Sequence, residues 1–222
     1  TSVRSALEAG YSHLDTAEMY ALGYSEELIR RAIQKTGTKR EELFITSKVW
    51  PNHLSYKNVL RACEGSLRRL GTDYLDLYLI HYPVRERRQS WRALEVLRAQ
   101  GKARSIGVSN FTIRHLTELL AETATVPAVN QVEFHPYLYQ RDLLDFCVGK
   151  GIVVEAYSPL TKGARLADPK LVTIAKKYAQ AGEQPAISRS RLPFVQKFSR
   201  RPEGKSTAQI LIRWALQHGL VV

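Results

Sequence analysis

Short β-branched runs recur along this chain at intervals of roughly 25 to 32 residues, about one strand–helix unit, and this rhythm restricts the fold more than any other feature. The strand candidates are SHLDTA near residue 12, LFITSKV near 43, LDLYLIHY near 75, ARSIGVSN near 103, AVNQVEF near 128 and IVVEAYS near 152, with a terminal LVV. Several are apolar almost throughout, as strands covered on both faces of a parallel sheet must be. Helical periodicity fills the gaps. In SYKNVLRACEGSLRRLG, Ser55 can cap the helix, Val59, Cys63, Leu67 and Leu70 make one apolar stripe, and Gly71 can take the left-handed position beyond its end. SEELIRRAI opens with Ser25 and two glutamates, which suit the positive end of a helix dipole. TAQILIRWALQHG starts at Thr207, presents Ile210, Leu211 and Trp214 to a core, and stops before Gly219.

Five strand–helix repeats without a hairpin signal predict an α/β protein with a parallel sheet. A barrel and an open doubly wound sheet both satisfy the rhythm. No G-x-G-x-x-G follows any strand, so a parallel (β/α)8 TIM barrel is the expected architecture. The 222 residues are expected to form a single domain. One interval breaks the pattern. The stretch of about 179–205, rich in Arg, Ser, Pro and Gln, reads as an insertion between a helix in DPKLVTIAKKY and the last helix. The chain begins inside a helical pattern without an initiator Met, which suggests a piece of a longer sequence.

Composition narrows the classes of function. With 44% hydrophobic and 24% charged residues the chain has the make-up of a soluble globular protein, and no apolar run reaches the ~18 residues of a membrane span. Its net charge of +12 is spread over separate doublets (Arg30-Arg31, Lys39-Arg40, Arg68-Arg69, Arg87-Arg88, Arg200-Arg201) without interleaved aromatics. Solvated helix faces account for most of them, nucleic acid is not an expected partner, and a basic surface would steer a phosphate-bearing cofactor. Cys63 and Cys147 lie in apolar helical patterns and read as buried thiols of a reducing compartment, the cytoplasm. No metal-ligand cluster is legible.

In a parallel barrel, chemistry collects at the C-terminal strand ends. The first strand delivers Asp15 and, in the next loop, Tyr20; the second ends at Lys48 and the third at His81. Each has an ordinary structural reading: a turn aspartate, a loop anchor, a solvated lysine, a hydrogen-bonded core-edge histidine. Together, on three consecutive strand ends, they make coherent chemistry. A free phenol titrates near pH ~10, too high for easy exchange near neutrality. A lysine cation beside it favours the tyrosinate, and an aspartate holds the lysine. The phenol can then give a proton to an oxygen gaining negative charge while a neutral histidine orients that oxygen, which suits carbonyl reduction. Hydride must come from a cofactor. Ser109 and Asn110 after the fourth strand and Gln131 in the fifth match the donors and acceptors of a carboxamide, and Tyr157 after the sixth offers a flat face to a nicotinamide.

The motifs GYSHLDTAEMY, ITSKVW, LDLYLIHYP, KARSIGVSNF, VNQVEFHP and VEAYSPL, in this order, resemble those of the aldo-keto reductases over about 1–178 and 205–222. The resemblance implies an oxidoreductase on a (β/α)8 barrel that reduces small aldehydes or ketones to alcohols with NADPH, or with NADH. It places the catalytic tetrad on Asp15, Tyr20, Lys48 and His81, with Tyr20 the general acid. It places cofactor contacts on Ser109, Asn110, Gln131 and the stacking Tyr157, adds Ser158 and Leu160 beside the pyrophosphate, and puts Trp50 and Tyr82 in the substrate pocket. Packing remains an equal reading for those last two. Ser12 stands where the family commonly has arginine, and the loop after Tyr20 departs from its commonest form. The family's first strand and its C-terminal phosphate-binding segment fall outside the chain, so the barrel is expected to be incomplete. A monomer or weak oligomer is expected. The alternatives are a catalytically silent module that binds nicotinamide cofactor and regulates a partner, and an inactive truncated product.

Overall fold

The structure is a computed structural model that describes residues 2–180 and 205–222. The segment expected as an insertion, about 179–205, lies outside the described residues except at its ends, as does Arg200-Arg201. Six strands are present: β1 (His13–Asp15), β2 (Phe44–Val49), β3 (Leu75–Ile80), β4 (Ala103–Ser109), β5 (Val129–Glu133) and β6 (Val153–Tyr157). They follow one another in the sheet in chain order, and β1 to β5 pair parallel. The expected terminal strand is a single parallel bridge between Glu155 and Val221. The helices are α1 (Ser2–Glu8) before β1, α2 (Tyr24–Thr36), α3 (Tyr56–Leu70), α4 (Arg87–Ala99), α5 (Ile113–Leu120) and α6 (Arg141–Gly149) between successive strands, and α7 (Pro169–Gln180) and α8 (Thr207–Gln217) after β6. No helix among the described residues is long and apolar enough to cross a membrane.

The chain falls into two compact units. The first runs to Val132 and resumes over Arg141–Val154. In it, every residue of β3 is buried, the signature of a strand covered on both faces, and α2 and α4 pack against α3. The α3 stripe of Val59, Cys63, Leu67 and Leu70 is buried as its spacing requires. Gly71 closes the helix at φ 69°, and its N–H reaches Leu67 O at 2.8 Å. Ser55 holds the N-cap position without a capping bond from its side chain. α2 starts one residue earlier than Ser25 and is preceded by Gly23 at φ 90°, while the Ser25 hydroxyl turns to Thr16 Oγ1 at 2.9 Å. Burial pushes the Cys63 thiol up to about 12, so both it and the buried Cys147 act as small apolar groups.

Not every basic doublet is a solvated face. Arg40 bonds Asp76 at 2.7 Å, and it stacks on one side of Tyr74 while Arg104 stacks on the other, at 4.0 and 3.8 Å from the ring centroid. Arg87 pairs with Glu118, and Arg69 with the fully buried Glu26.

The second unit comprises Glu133–Gln140 and the described part of Glu155–Val222. Within it α7 packs on α8, which begins at Thr207 as expected and is capped by Ser206 in a capping box with Gln209. Leu211 and Ala215 form the buried side of α8. Trp214, half-buried, stacks on Phe134 at 5.9 Å and meets Tyr139 edge-on at 5.4 Å.

Candidate active site

Parallel register brings the expected ionisable residues of the first unit to the same end of neighbouring strands. Asp15 is the last residue of β1, Lys48 is next to last in β2, and His81 directly follows β3. Asp15 sits opposite Thr46, and Lys48 sits opposite Leu79. Period two then puts Lys48 on the same face of β2 as Thr46 and leaves Ser47 on the other.

Lys48 is completely buried, which a lone ammonium would not tolerate. It is compensated: Nζ donates to Asp15 Oδ1 at 2.5 Å and to the Thr16 carbonyl at 2.9 Å. The same ammonium lies 5.3 Å from the centre of the Tyr20 ring. Tyr20 and His81 meet edge to face at 5.9 Å, and His81 stacks on Tyr82 at 4.8 Å. Trp50 stands over both, 5.2 Å from His81 and 6.0 Å from Tyr82. Tyr20 and Tyr82 keep about two-fifths of their surface exposed, so this aromatic group forms an accessible rim over a buried cation.

Burial, followed by the Lys48 charge, lowers His81 to about 4, and Asp15 only partly opposes this. The imidazole is therefore neutral near pH 7 and keeps one N–H donor. Its buried Nδ1 has no hydrogen-bond partner among the described residues.

The expected carboxamide contacts of this unit lie beside that group. Ser109 ends β4 and donates its hydroxyl to the Gln131 carbonyl at 2.8 Å. Asn110, at φ 62°, donates from Nδ2 to the carbonyl of His81 at 3.0 Å and to Ser109 Oγ at 3.1 Å. Gln131, in the middle of β5, donates from Nε2 to Asp15 Oδ2 at 2.9 Å, so its own carbonyl oxygen is left as an acceptor. This donor and acceptor set fits a carboxamide, with the qualification that Gln131 also belongs to the Asp15–Lys48 network. Tyr157, Ser158 and Leu160 belong to the second unit. Tyr157 ends β6, and Ser158 follows at φ 51°. Among the described residues no group of three or more His, Cys, Asp or Glu is placed to hold a metal ion.

Two buried carboxylates beside the site escaped the reading of the sequence. Glu26 accepts from Ser47 Oγ at 2.6 Å and from Arg69 Nε at 2.7 Å, tying the start of α2 to β2 and α3. Its signal was a glutamate three residues before Ile29 and six before Ala32, on the buried stripe of α2. Glu18, inside LDTAEMY, accepts from the backbone N–H of Trp50 and from His53. No periodicity in a loop could have marked it.

The whole chain, residues 1–222, matches the model of the Aldo/keto reductase family. It is 46% identical to the glyoxal reductase of Bacillus subtilis over 99% of this chain and 70% of that protein. Among solved structures it resembles an aldo/keto reductase from Brucella melitensis (TM-score 0.83, 38% identity, 99% of this chain and 75% of that one). It also resembles the Bombyx mori aldo-keto reductase in complex with NADP (TM-score 0.80, 34% identity, 99% and 70%). With its strand-end residues as described and its full length matched, the chain belongs to the aldo/keto reductase family.

Proposed function

We propose that the chain folds as a single domain of (β/α)8-barrel type that reduces aldehydes or ketones to alcohols with NADPH, Tyr20 serving as general acid. One observation carries this reading: a fully buried Lys48, held by Asp15, lies 5.3 Å from the Tyr20 ring, and neutral His81 lies on the ring's other contact. A reduced nicotinamide, when bound, would supply the hydride for the carbonyl carbon. Tyr20 gives its phenolic proton to the carbonyl oxygen as negative charge builds there, and the Lys48 ammonium favours the tyrosinate left behind. Asp15 holds the ammonium in place. Neutral His81 donates its N–H to the substrate oxygen and orients it without competing as a stronger acid.

Ser109, Asn110 and Gln131 would hold the nicotinamide carboxamide, Tyr157 would stack on its ring, and Ser158 and Leu160 would run beside the pyrophosphate. Trp50 and Tyr82 would face the substrate. The preference for NADPH over NADH rests on the family. The buried thiols of Cys63 and Cys147 fit a reducing compartment, so the cytoplasm is the proposed location. The NADP complex of the Bombyx mori protein and the glyoxal reductase name of the Bacillus relative support both cofactor class and reaction.

The test follows loss of reduced-nicotinamide absorbance with an aromatic aldehyde and with methylglyoxal, alongside nicotinamide fluorescence on binding. Turnover that disappears in Tyr20→Phe, with cofactor binding retained, supports the mechanism. Undiminished turnover in that variant sinks it. Binding without turnover in the wild type favours a cofactor-sensing module.

A further inference from the structure

The backbone of the first loop runs along β2 beyond the end of β1. Thr16 N–H donates to Thr46 O at 2.9 Å, and Glu18 N–H donates to Lys48 O at 3.2 Å. The alternation of a parallel ladder makes Trp50 N–H the next donor of β2, and the Glu18 carbonyl its regular acceptor. That bond is absent. The chain leaves the ladder in a tight turn, with Tyr20 N–H on Ala17 O at 3.1 Å, and the turn is what presents Tyr20 above Lys48. Turning away would orphan Trp50 N–H. The Glu18 side chain replaces the missing carbonyl: Oε1 accepts from Trp50 N–H at 2.5 Å and faces His53 Nδ1 at 3.1 Å. Glu18 is buried although it is a charged loop residue, and the Trp50–His53 segment it holds is a short 3-10 turn with no side-chain cap.

We propose that Glu18 is a positioning residue that fastens the Trp50 loop to the Tyr20 turn and thereby sets how well an aromatic substrate is held against the proton donor. The inference rests on the reductase reading for its substrate consequence, but the fastening stands on geometry. A carboxylate with both bonds on one oxygen, reaching ahead of its own backbone, locks two loops together. Trp50 in turn is the ring that covers His81 and Tyr82. Freed, it would no longer offer a fixed wall to a flat substrate, whereas a small dicarbonyl, which uses less of that wall, would be served by Tyr20 and His81 much as before. The Glu18 side chain bonds to the Trp50 loop, so its effect is expected in KM and not in the chemical step.

The experiment compares Glu18→Ala and Glu18→Gln with the wild type in two ways. Amide hydrogen exchange at Trp50 should speed up by about tenfold or more in Glu18→Ala and stay near wild type in Glu18→Gln, whose amide oxygen can still accept. In parallel, KM for an aromatic aldehyde should rise about tenfold in Glu18→Ala, with kcat within about twofold and with KM for methylglyoxal little changed, and Glu18→Gln should restore it. Unchanged Trp50 exchange in Glu18→Ala overturns the fastening. An equal rise in KM for both carbonyls, or a fall in kcat matching the loss of kcat/KM, overturns the specificity role and leaves ordinary loosening of the site. A wild type that reduced neither carbonyl would sink the reductase reading, while the exchange comparison would still decide the fastening.

Discussion

Gln131 donates its side-chain N–H to Asp15 across 116 positions of the chain, so the carboxylate that holds Lys48 with one oxygen is itself held through the other. β5 thereby reaches back to β1. The buried ammonium is not kept by a simple pair: its counter-charge is oriented by a residue proposed to touch the cofactor. The proposed carboxamide site and the proposed proton-donating group share one carboxylate.

That sharing predicts the outcome of neutralising Asp15. Asp15→Asn keeps the shape and removes the charge, which leaves the fully buried Lys48 ammonium uncompensated. Because about a third of the Asp15 side chain is exposed, the loss of stability should be about 1–3 kcal/mol, below that of a fully buried pair. kcat should fall by about tenfold or more, since the ammonium is no longer held by a carboxylate in its place beside Tyr20. Urea midpoints and steady-state kinetics check the two parts, and Lys48→Met combined with Asp15→Asn should be less destabilised than the sum of the single changes.

His81 should make the protein sensitive to acid. Its folded value of about 4 lies below the ordinary 6.5, so on acidification the unfolded chain takes up this proton first. The contribution to stability is complete above pH 6.5, falls as pH drops from 6.5 toward about 4, and is lost below that. Its size is about 3 kcal/mol, the free energy of such a shift. Urea unfolding at pH 7 and near pH 5 should show about 2 kcal/mol of this loss in the wild type and a smaller one in His81→Gln. Imidazole titration by NMR should place the midpoint of His81 well below the ordinary 6.5.

Glu26 joins three elements. Its carboxylate, fully buried, takes Ser47 on one oxygen and Arg69 on the other, and the Arg69 side chain passes so close to Gly23 and Gly65 that a Cβ at either would meet it at 2.9 and 3.0 Å. Arg69→Ala should cost about 3–5 kcal/mol by leaving a buried carboxylate without its charge partner. Arg69→Ala with Glu26→Gln should recover part of that loss. Urea midpoints measure both. Gly65→Ala should be milder, because only the mobile end of the Arg69 side chain has to move.

Gly107 allows two strands to approach a third. A Cβ there would sit 2.6 Å from Val129 O and 2.8 Å from Leu79 Cδ2, and the first of these is backbone that cannot swing aside. Gly107→Ala should lower stability by about 1–3 kcal/mol, seen as a lower thermal midpoint. It should also weaken the proposed cofactor binding, because Ser109 ends the same strand two residues on and Asn110 directly follows it. Nicotinamide fluorescence titration reads that second effect.

Much of this was legible before any coordinates. The order and kind of elements, the α3 stripe, Gly71 beyond its end and the tetrad at successive strand ends all follow from patterns that act over a few residues. Ser25 was misplaced as the first residue of α2 because a serine before two glutamates satisfies the local rule, yet Gly23 supplies the turn and Thr16 claims the hydroxyl. Arg40 and Arg69 looked like solvated charge because a doublet carries no trace of the carboxylate that comes to meet it from another strand or helix.

By itself the sequence determined the repeating strand and helix pattern and the identity of the ionisable strand-end residues, since hydrophobic period, glycine conformation and residue type are local properties. Only the tertiary structure decided which buried polar groups became partners: Gln131 with Asp15, Glu18 with Trp50, Glu26 between Ser47 and Arg69. The physical reason is register. Each pairing depends on which strand ends are brought level and on which face each side chain leaves, and a buried charge takes whatever donor the packing places within reach.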